Sequence, residues 1–179
     1  MRSSEQWRVV RREMFQGRRP EPPGRVAGVA AAVATATMVS YVGQKIYMTW
    51  IGKIGMPGKL APQYVQDSFA HPAIDQAGNV VLGVLAVLLV LATVMRWGAR
   101  IPRLPLLAAL VVALGMESAG AAIGIHRTAL DPTVATWSVA FDVVVGVAQI
   151  SAWFVVVGSY ARRSRRPRPH ASSAAEVTG

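Results

Sequence analysis

Four long apolar stretches alternate with polar connections along the 179 residues of the chain. Each stretch is close to or above the roughly 20 residues that cross a hydrocarbon core of about 30 Å as an α-helix. Backbone polar groups in lipid must be paired within the segment, and the alternation typical of a membrane barrel is not seen. The pattern predicts an all-α integral membrane four-helix bundle, with helices over about 26–46, 80–97, 104–125 and 134–160.

The composition supports a membrane protein and excludes several functional classes. The chain is 53% hydrophobic and 16% charged, yet its formal net charge is +10. A basic soluble domain would carry more charge, since about a quarter of residues are charged in an average one, so we expect no nucleic-acid partner. Without cysteine, thiol catalysis, disulfides and Cys-ligated metal centres are excluded, and the three histidines are scattered. We therefore expect no cofactor and no metal.

The basic residues predict the orientation of the bundle. Fifteen arginines lie before the first helix, between the second and third, or after the fourth; the other side carries only four basic residues, Lys45, Lys53, Lys59 and Arg127. By the positive-inside rule, both termini are expected in the cytoplasm. Aromatic residues at or near predicted boundaries are compatible with interfacial anchoring: Trp7, Trp50, Trp97 and Tyr160.

The same reasoning divides the chain into a membrane domain and two tails. Residues 1–25 form a basic cytoplasmic tail, 26–161 the four-helix transmembrane domain, and 162–179 a basic tail expected to lack fixed structure. Arginines beside a membrane attract anionic lipid head groups, each by about 1 kcal/mol. The first helix follows a long basic leader and exceeds a signal-peptide core, so we expect it to remain uncleaved.

The long first extracytoplasmic loop, 47–78, mixes aromatic residues with glycine and proline. This mixture predicts a loop that lies on the bilayer surface or folds over the mouth of the bundle. The high content of Ala, Val, Arg and Gly is typical of a GC-rich bacterial genome. The expected location is therefore the bacterial cytoplasmic (inner) membrane.

Two acidic residues inside the apolar stretches are the strongest functional candidates. Glu117 lies about 12 Å from the end of the predicted third helix at Ile125, and Asp142 about 9 Å from Thr136 in the fourth. The two carboxyls are therefore expected at similar depths in the outer half of the membrane. An ionisable group in lipid costs at least about 2.5 kcal/mol, so both should face the bundle interior or a water-filled cavity.

Polar or small stripes on all four helices extend this candidate site. Residues three or four positions apart share a helix face, and the polar members gather toward the outer side. They predict an acidic intramembrane pocket with the following ligand-binding candidates: Tyr41, Gln44, Lys45, Asn79, Glu117, Ser138, Asp142 and Gln149.

Two interpretations of this polar set remain open. In the first, it only fixes the packing: Lys45 or Arg127 pairs with a carboxylate, while Gln149 and Asn79 bond across helices. In the second, two nearby carboxyls in a low dielectric provide a proton acceptor or a counter-charge for a cationic ligand.

Three functions follow from these interpretations. The leading one is a small polytopic membrane protein that binds or transports a small ligand, a lipid or a proton. The second is an intramembrane enzyme in which Glu117 and Asp142 act as acid and base on a lipid or isoprenoid, although no catalytic motif is recognisable. The third is a structural accessory subunit, with a homo-oligomer or a larger membrane complex as the partner.

Overall fold

The computed structural model describes residues 22–56, 59–130 and 136–164, without the side chains of residues 59, 127–130 and 136–138. The expected N-terminal tail, with Trp7, and most of the C-terminal tail lie outside these residues. The elements in chain order are α1 (Arg25–Ile51), β1 (Gly55–Met56), β2 (Lys59–Leu60), α2 (Gln63–Gln66), α3 (Pro72–Val94), a 3₁₀ helix (Arg96–Arg100), α4 (Arg103–Leu130) and α5 (Thr136–Arg163).

Four of these helices, α1, α3, α4 and α5, are long and apolar enough to cross a membrane. Their spans contain the four stretches that hydropathy predicts, apart from a few terminal residues. The predicted all-helical fold with four potential membrane-spanning helices is confirmed at this level. The only strands in the described residues form a hairpin of two residues each, which pairs Gly55 with Leu60 and Met56 with Lys59.

Helix ends near the first loop differ from the predicted ones. The first helix continues to Ile51, where Gly52 adopts a left-handed conformation (φ 65°) and closes the last turn. The second membrane helix, α3, begins at Pro72 rather than Val80. Proline suits the first position of a helix, and Asp75 in the first turn complements the helix dipole. The connection therefore spans 52–71, which is shorter than the predicted 47–78.

The first loop is folded and attached to α1. The Gln66 side chain accepts a hydrogen bond from the Ile54 amide at 2.8 Å and donates to the Ile54 carbonyl at 2.9 Å. Beside this contact, the Lys45 ammonium donates to the Gly55 carbonyl at 2.8 Å. These bonds hold the hairpin against the end of α1.

Successive membrane helices run antiparallel, which gives the bundle two distinct ends. The arginine end contains the start of α1, the end of α3, the start of α4 and the end of α5; the loop end contains the opposite termini. The helix α1 packs against α3 and α5, whereas α4 packs mainly against α5. At the closest approach of α1 and α3, a Cβ on Gly83 would lie 2.6 Å from Val42 Cγ2, so only glycine fits there without a shift.

Apolar packing is concentrated in the half of the bundle nearer the arginine end. The buried cluster draws on α1 from Ala30 to Met38 and on α5 from Ala152 to Tyr160, with residues of α3 and α4 between them. Toward the loop end, buried positions include the polar side chains of Lys45 and Gln76. The half of the bundle nearer the arginine end is thus more apolar inside than the half nearer the loop end.

Aromatic residues near the helix ends behave in two ways. Trp50 is 86% exposed and Trp97 39% exposed, as expected for side chains at a membrane interface. Tyr160 lies three residues before the end of α5, but it is only 2% exposed and belongs to the buried cluster, so its side chain packs inside the bundle.

Candidate functional site

Glu117 lies at the middle of α4, fourteen residues after Arg103 and thirteen before Leu130. At 1.5 Å per residue, its backbone is about 20 Å from either end of the helix. The side chain is half-buried, and Gln149 Nε2 donates a hydrogen bond to Glu117 Oε2 at 2.8 Å. Within the described residues, this carboxyl has no ion-pair partner.

Gln149 is likewise central in α5, thirteen residues after Thr136 and fourteen before Arg163. Its bond to Glu117 therefore joins the midpoints of two adjacent membrane helices. The predicted hydrogen bond of Gln149 across helices is confirmed by this contact. Such bonds in membranes stabilise helix packing by about 0.6–2 kcal/mol, so it serves both packing and positioning of the carboxyl.

On α1, Tyr41 and Lys45 lie one turn apart and extend the polar site toward the loop end. The half-buried Tyr41 is close enough to Glu117 for an electrostatic interaction. The Lys45 ammonium lies 5.3 Å from the centroid of the Tyr41 ring, within the range of a cation–π contact. Lys45 is buried (7% exposed), and its ammonium is directed to the Gly55 carbonyl of the loop.

The contacts of Lys45 differ from those that the packing interpretation expects. The lysine was expected to pair with an intramembrane carboxylate, but its polar contacts are the loop carbonyl and the Tyr41 ring. The side chain of Arg127, the other expected partner, lies outside the described residues. Glu117, Tyr41 and Lys45 thus form a short polar series, with the Glu117 carboxylate at one end and the Lys45 ammonium at the other.

The expectation that Glu117 and Asp142 share one depth is wrong. Glu117 bonds Gln149, and Asp142 precedes Gln149 by seven residues, which places it about 10 Å nearer the loop end along α5. The error arose because α4 continues past Ile125 to Leu130, so Glu117 is deeper than its apolar run indicates. Asp142 is half-buried. Because seven residues make about two helical turns, Asp142 lies on the same face of α5 as Gln149.

Several other candidates are separated from the carboxyl. Gln44 Nε2 lies 3.5 Å from Ser40 Oγ on its own helix. Asn79 Nδ2 donates to Gln76 Oε1 at 3.4 Å within α3, and among the described side chains the expected bond of Asn79 across helices is not formed. The side chain of Ser138 lies outside the described residues.

Sequence reasoning missed Gln76, a polar residue of the first two turns of α3 that is only 1% exposed. Its position three residues before Asn79 is the signal that could have found it, because such residues share a helix face. Gln76 and Asn79 form a separate polar pair near the loop end.

Within the described residues, no group of three or more His, Asp or Glu side chains is arranged to hold a metal ion. His71 and His126 are both exposed.

No protein-family model, curated protein or solved structure matches the chain. The structure alone therefore defines the class of the protein. It is an all-helical chain with four helices that could span a membrane, and two of them are joined at their midpoints by the bond between Gln149 and Glu117.

The chemistry of this arrangement follows from the charge on Glu117. A carboxylate in the hydrocarbon region is expensive, by at least about 2.5 kcal/mol on insertion scales. The neutral amide of Gln149 lowers part of this cost but does not compensate the charge. A proton or a cation is the ligand that would do so.

Proposed function

We propose that this chain is a small multi-pass membrane protein in which Glu117 binds a proton or a small cationic ligand that enters from the loop end. The observation that carries the proposal is the half-buried carboxyl at the midpoint of α4, bonded to Gln149 and without an ion-pair partner in the described residues. Ionisable groups at such a depth are typical of proton relays and of counter-charges for ligands.

The contacts of Tyr41 and Lys45 support entry from the loop end. From Glu117, the polar series passes Tyr41 and Lys45 and ends at the Gly55 carbonyl. The opposite half of the bundle holds the buried apolar cluster, which includes Trp153, Val90 and Leu110 at 0% exposure. A proton or cation therefore finds polar groups on the loop side and closely packed apolar side chains on the other.

The distribution of arginine supports a location for both ends. Of the described residues, Arg25, Arg96, Arg100, Arg103, Arg162 and Arg163 all lie at or beside the arginine end. We infer that this end, with both termini, faces the cytoplasm of a bacterial cell and that the first loop faces outward.

A role as an accessory subunit is the second candidate, and the poor burial of α4 favours it. Only 11% of the most apolar stretch of α4 is buried inside the chain, against 28% for α1 and α3. A Cβ on Gly115 or Gly120 would contact nothing within 4 Å. In this alternative, a partner helix covers α4, and the bond between Gln149 and Glu117 only fixes the packing.

An acid–base enzyme is less well supported by the same geometry. A two-carboxyl mechanism needs both groups at one substrate, and Asp142 is about 10 Å from the level of Glu117 along the helix axis. If a membrane-dissolved lipid or isoprenoid were converted, both Glu117→Gln and Asp142→Asn would have to abolish turnover.

Labelling with dicyclohexylcarbodiimide tests the proposed function. This membrane-soluble reagent reacts with a protonated carboxyl and leaves a mass-tagged N-acylurea. In the protein reconstituted in bilayers, we expect Glu117 to be labelled, and labelling to fall as the pH is raised because the carboxyl loses its proton. Peptide mapping by mass spectrometry gives the labelled fraction at each pH.

Asp142 provides the internal comparison in the same samples. Labelling of Glu117 that depends on pH supports a carboxyl that exchanges protons from within the bilayer. If Glu117 remains unlabelled at every pH while Asp142 reacts, Glu117 is closed off by packing, and the accessory role replaces the proposed one.

A further inference from the structure

Two half-buried arginines are held in place where α3, α4 and α5 meet at the arginine end. Arg103 Nε donates to Ser164 Oγ at 3.0 Å. Arg163 Nη2 donates to the Thr93 carbonyl at 3.1 Å, and its Nε donates to Ser159 Oγ at 3.2 Å. Arg103 therefore connects the start of α4 to the end of α5, and Arg163 connects the end of α5 to the end of α3. Each guanidinium has a defined position.

The guanidinium of Arg103 retains unused hydrogen-bond donors. An arginine side chain carries five N–H donors. Within the described residues, the bond from Nε to Ser164 is the one that Arg103 makes, so its planar terminal fork is available. Ser164 is itself fixed, because its hydroxyl donates to the Tyr160 carbonyl at 2.7 Å. Such a fork matches the oxygens of a phosphate group.

The two guanidiniums bond to residues near the end of α5, Arg103 to Ser164 and Arg163 to Ser159. Both also lie close enough to the phenol of Tyr160 for an electrostatic interaction, although they come from different helices. The acidic residues that the structure describes, by contrast, lie in the first loop, in the first turn of α3 at the loop end, or within α4 and α5 away from their arginine ends: Asp67, Asp75, Glu117 and Asp142. The charge at this place therefore favours an anion.

Apolar side chains are exposed beside these arginines. Leu104, which follows Arg103 in α4, is 46% exposed, and Met95, two residues after the Thr93 carbonyl that accepts from Arg163, is 49% exposed. Trp97 of the 3₁₀ helix is 39% exposed, and its amphipathic ring suits the level of lipid head groups. A ligand with an anionic head and apolar chains complements this surface.

We propose that Arg103 and Arg163 form a binding site for the phosphodiester of an anionic phospholipid, whose acyl chains pack beside Met95 and Leu104. The site is independent of the proposed role of Glu117, which lies about 20 Å away along α4. It differs from attraction of lipid to the basic tails because it depends on a guanidinium fork in a fixed position.

Native mass spectrometry of the full chain in non-ionic detergent tests this site. The probes are phosphatidylglycerol and phosphatidylcholine with the same acyl chains, added in equal amounts. We expect wild-type protein to retain phosphatidylglycerol preferentially and Arg103→Gln to weaken that binding by at least about tenfold, since a bidentate charge-assisted contact is lost.

Arg162→Gln is the matched control, because Arg162 is an exposed arginine at the same end and the substitution removes the same charge. We expect it to weaken phosphatidylglycerol binding by less than about threefold. Equal losses in the two variants, or equal retention of phosphatidylcholine and phosphatidylglycerol by the wild type, would overturn the proposal.

Ser164→Ala keeps the test decisive if Arg103→Gln fails to fold. This variant retains every charge but removes the hydroxyl that holds Arg103, so we expect a loss between those of the two arginine variants. Unchanged binding in Ser164→Ala would refute a positioned fork. Binding of inorganic phosphate that depends on Arg103, without binding of phosphatidylglycerol, would refute the phospholipid as the ligand.

Discussion

If the proton or cation bound at Glu117 is carried across the bilayer, glutamine in place of Glu117 is expected to abolish its pH-driven uptake by proteoliposomes while the bundle stays folded. The carbonyl oxygen of glutamine can still accept the hydrogen bond that Gln149 Nε2 donates. The variant therefore preserves the contact between α4 and α5 but can neither take up a proton nor compensate a cation. A pH-sensitive dye inside the liposomes measures the flux, which should fall to that of protein-free liposomes.

Asp142→Asn is the matched control for this experiment. It removes the carboxyl of α5, which lies about 10 Å nearer the loop end along that helix, and is expected to leave measurable flux. Loss of folding in Glu117→Gln, seen as loss of the monodisperse protein, would show that the carboxylate is needed for packing. Equal flux in Glu117→Gln and wild type, with both above that of protein-free liposomes, would contradict the role of Glu117 in transport.

The second large effect is expected at Trp153, which is one turn from Gln149 and fully buried. Truncation to alanine removes the largest side chain of the buried cluster, and cavities of this kind cost about 3–5 kcal/mol in protein cores. Because helix association in a bilayer depends on packing, we expect a comparable loss here. Reversible unfolding of the protein in mixed micelles measures the change in free energy of unfolding.

Trp153→Phe separates packing from polarity at the same position. The indole Nε1 is buried and, in the described residues, has no hydrogen-bond partner. Phenylalanine retains most of the aromatic volume and removes this unsatisfied donor, so we expect a change of about 1 kcal/mol or less. A loss as large as that of Trp153→Ala would indicate that the N–H has a partner in the bilayer-embedded protein.

Hydropathy was sufficient to predict the four spans, because the apolar stretches needed to cross lipid are long and unambiguous. It was insufficient for the helix ends. A helix can continue beyond the hydrocarbon, as α4 does through the polar residues after Ile125, and this extension moved Glu117 to the helix midpoint. At the start of α3, proline begins a helix where it was expected to interrupt one.

The residues of the site were partly predictable. An acid in an apolar stretch was sufficient to select Glu117, and helical spacing placed Gln149 among its candidate partners. The partner of Lys45 could not be predicted, since it is a backbone carbonyl whose position depends on the hairpin that follows α1. The burial of Tyr160 was missed because the rotation of α5 about its axis is determined by packing against its neighbours.

Infrared difference spectroscopy of the protein in lipid bilayers tests the central claim most directly. A pH titration isolates the carbonyl stretching band of protonated carboxyl groups. If Glu117 only fixes the packing, its contribution to this band need not change with pH. The account predicts one component of this band that disappears on alkalinisation in the wild type and in Asp142→Asn but is missing from Glu117→Gln. An identical titrating band in wild type and Glu117→Gln would contradict it.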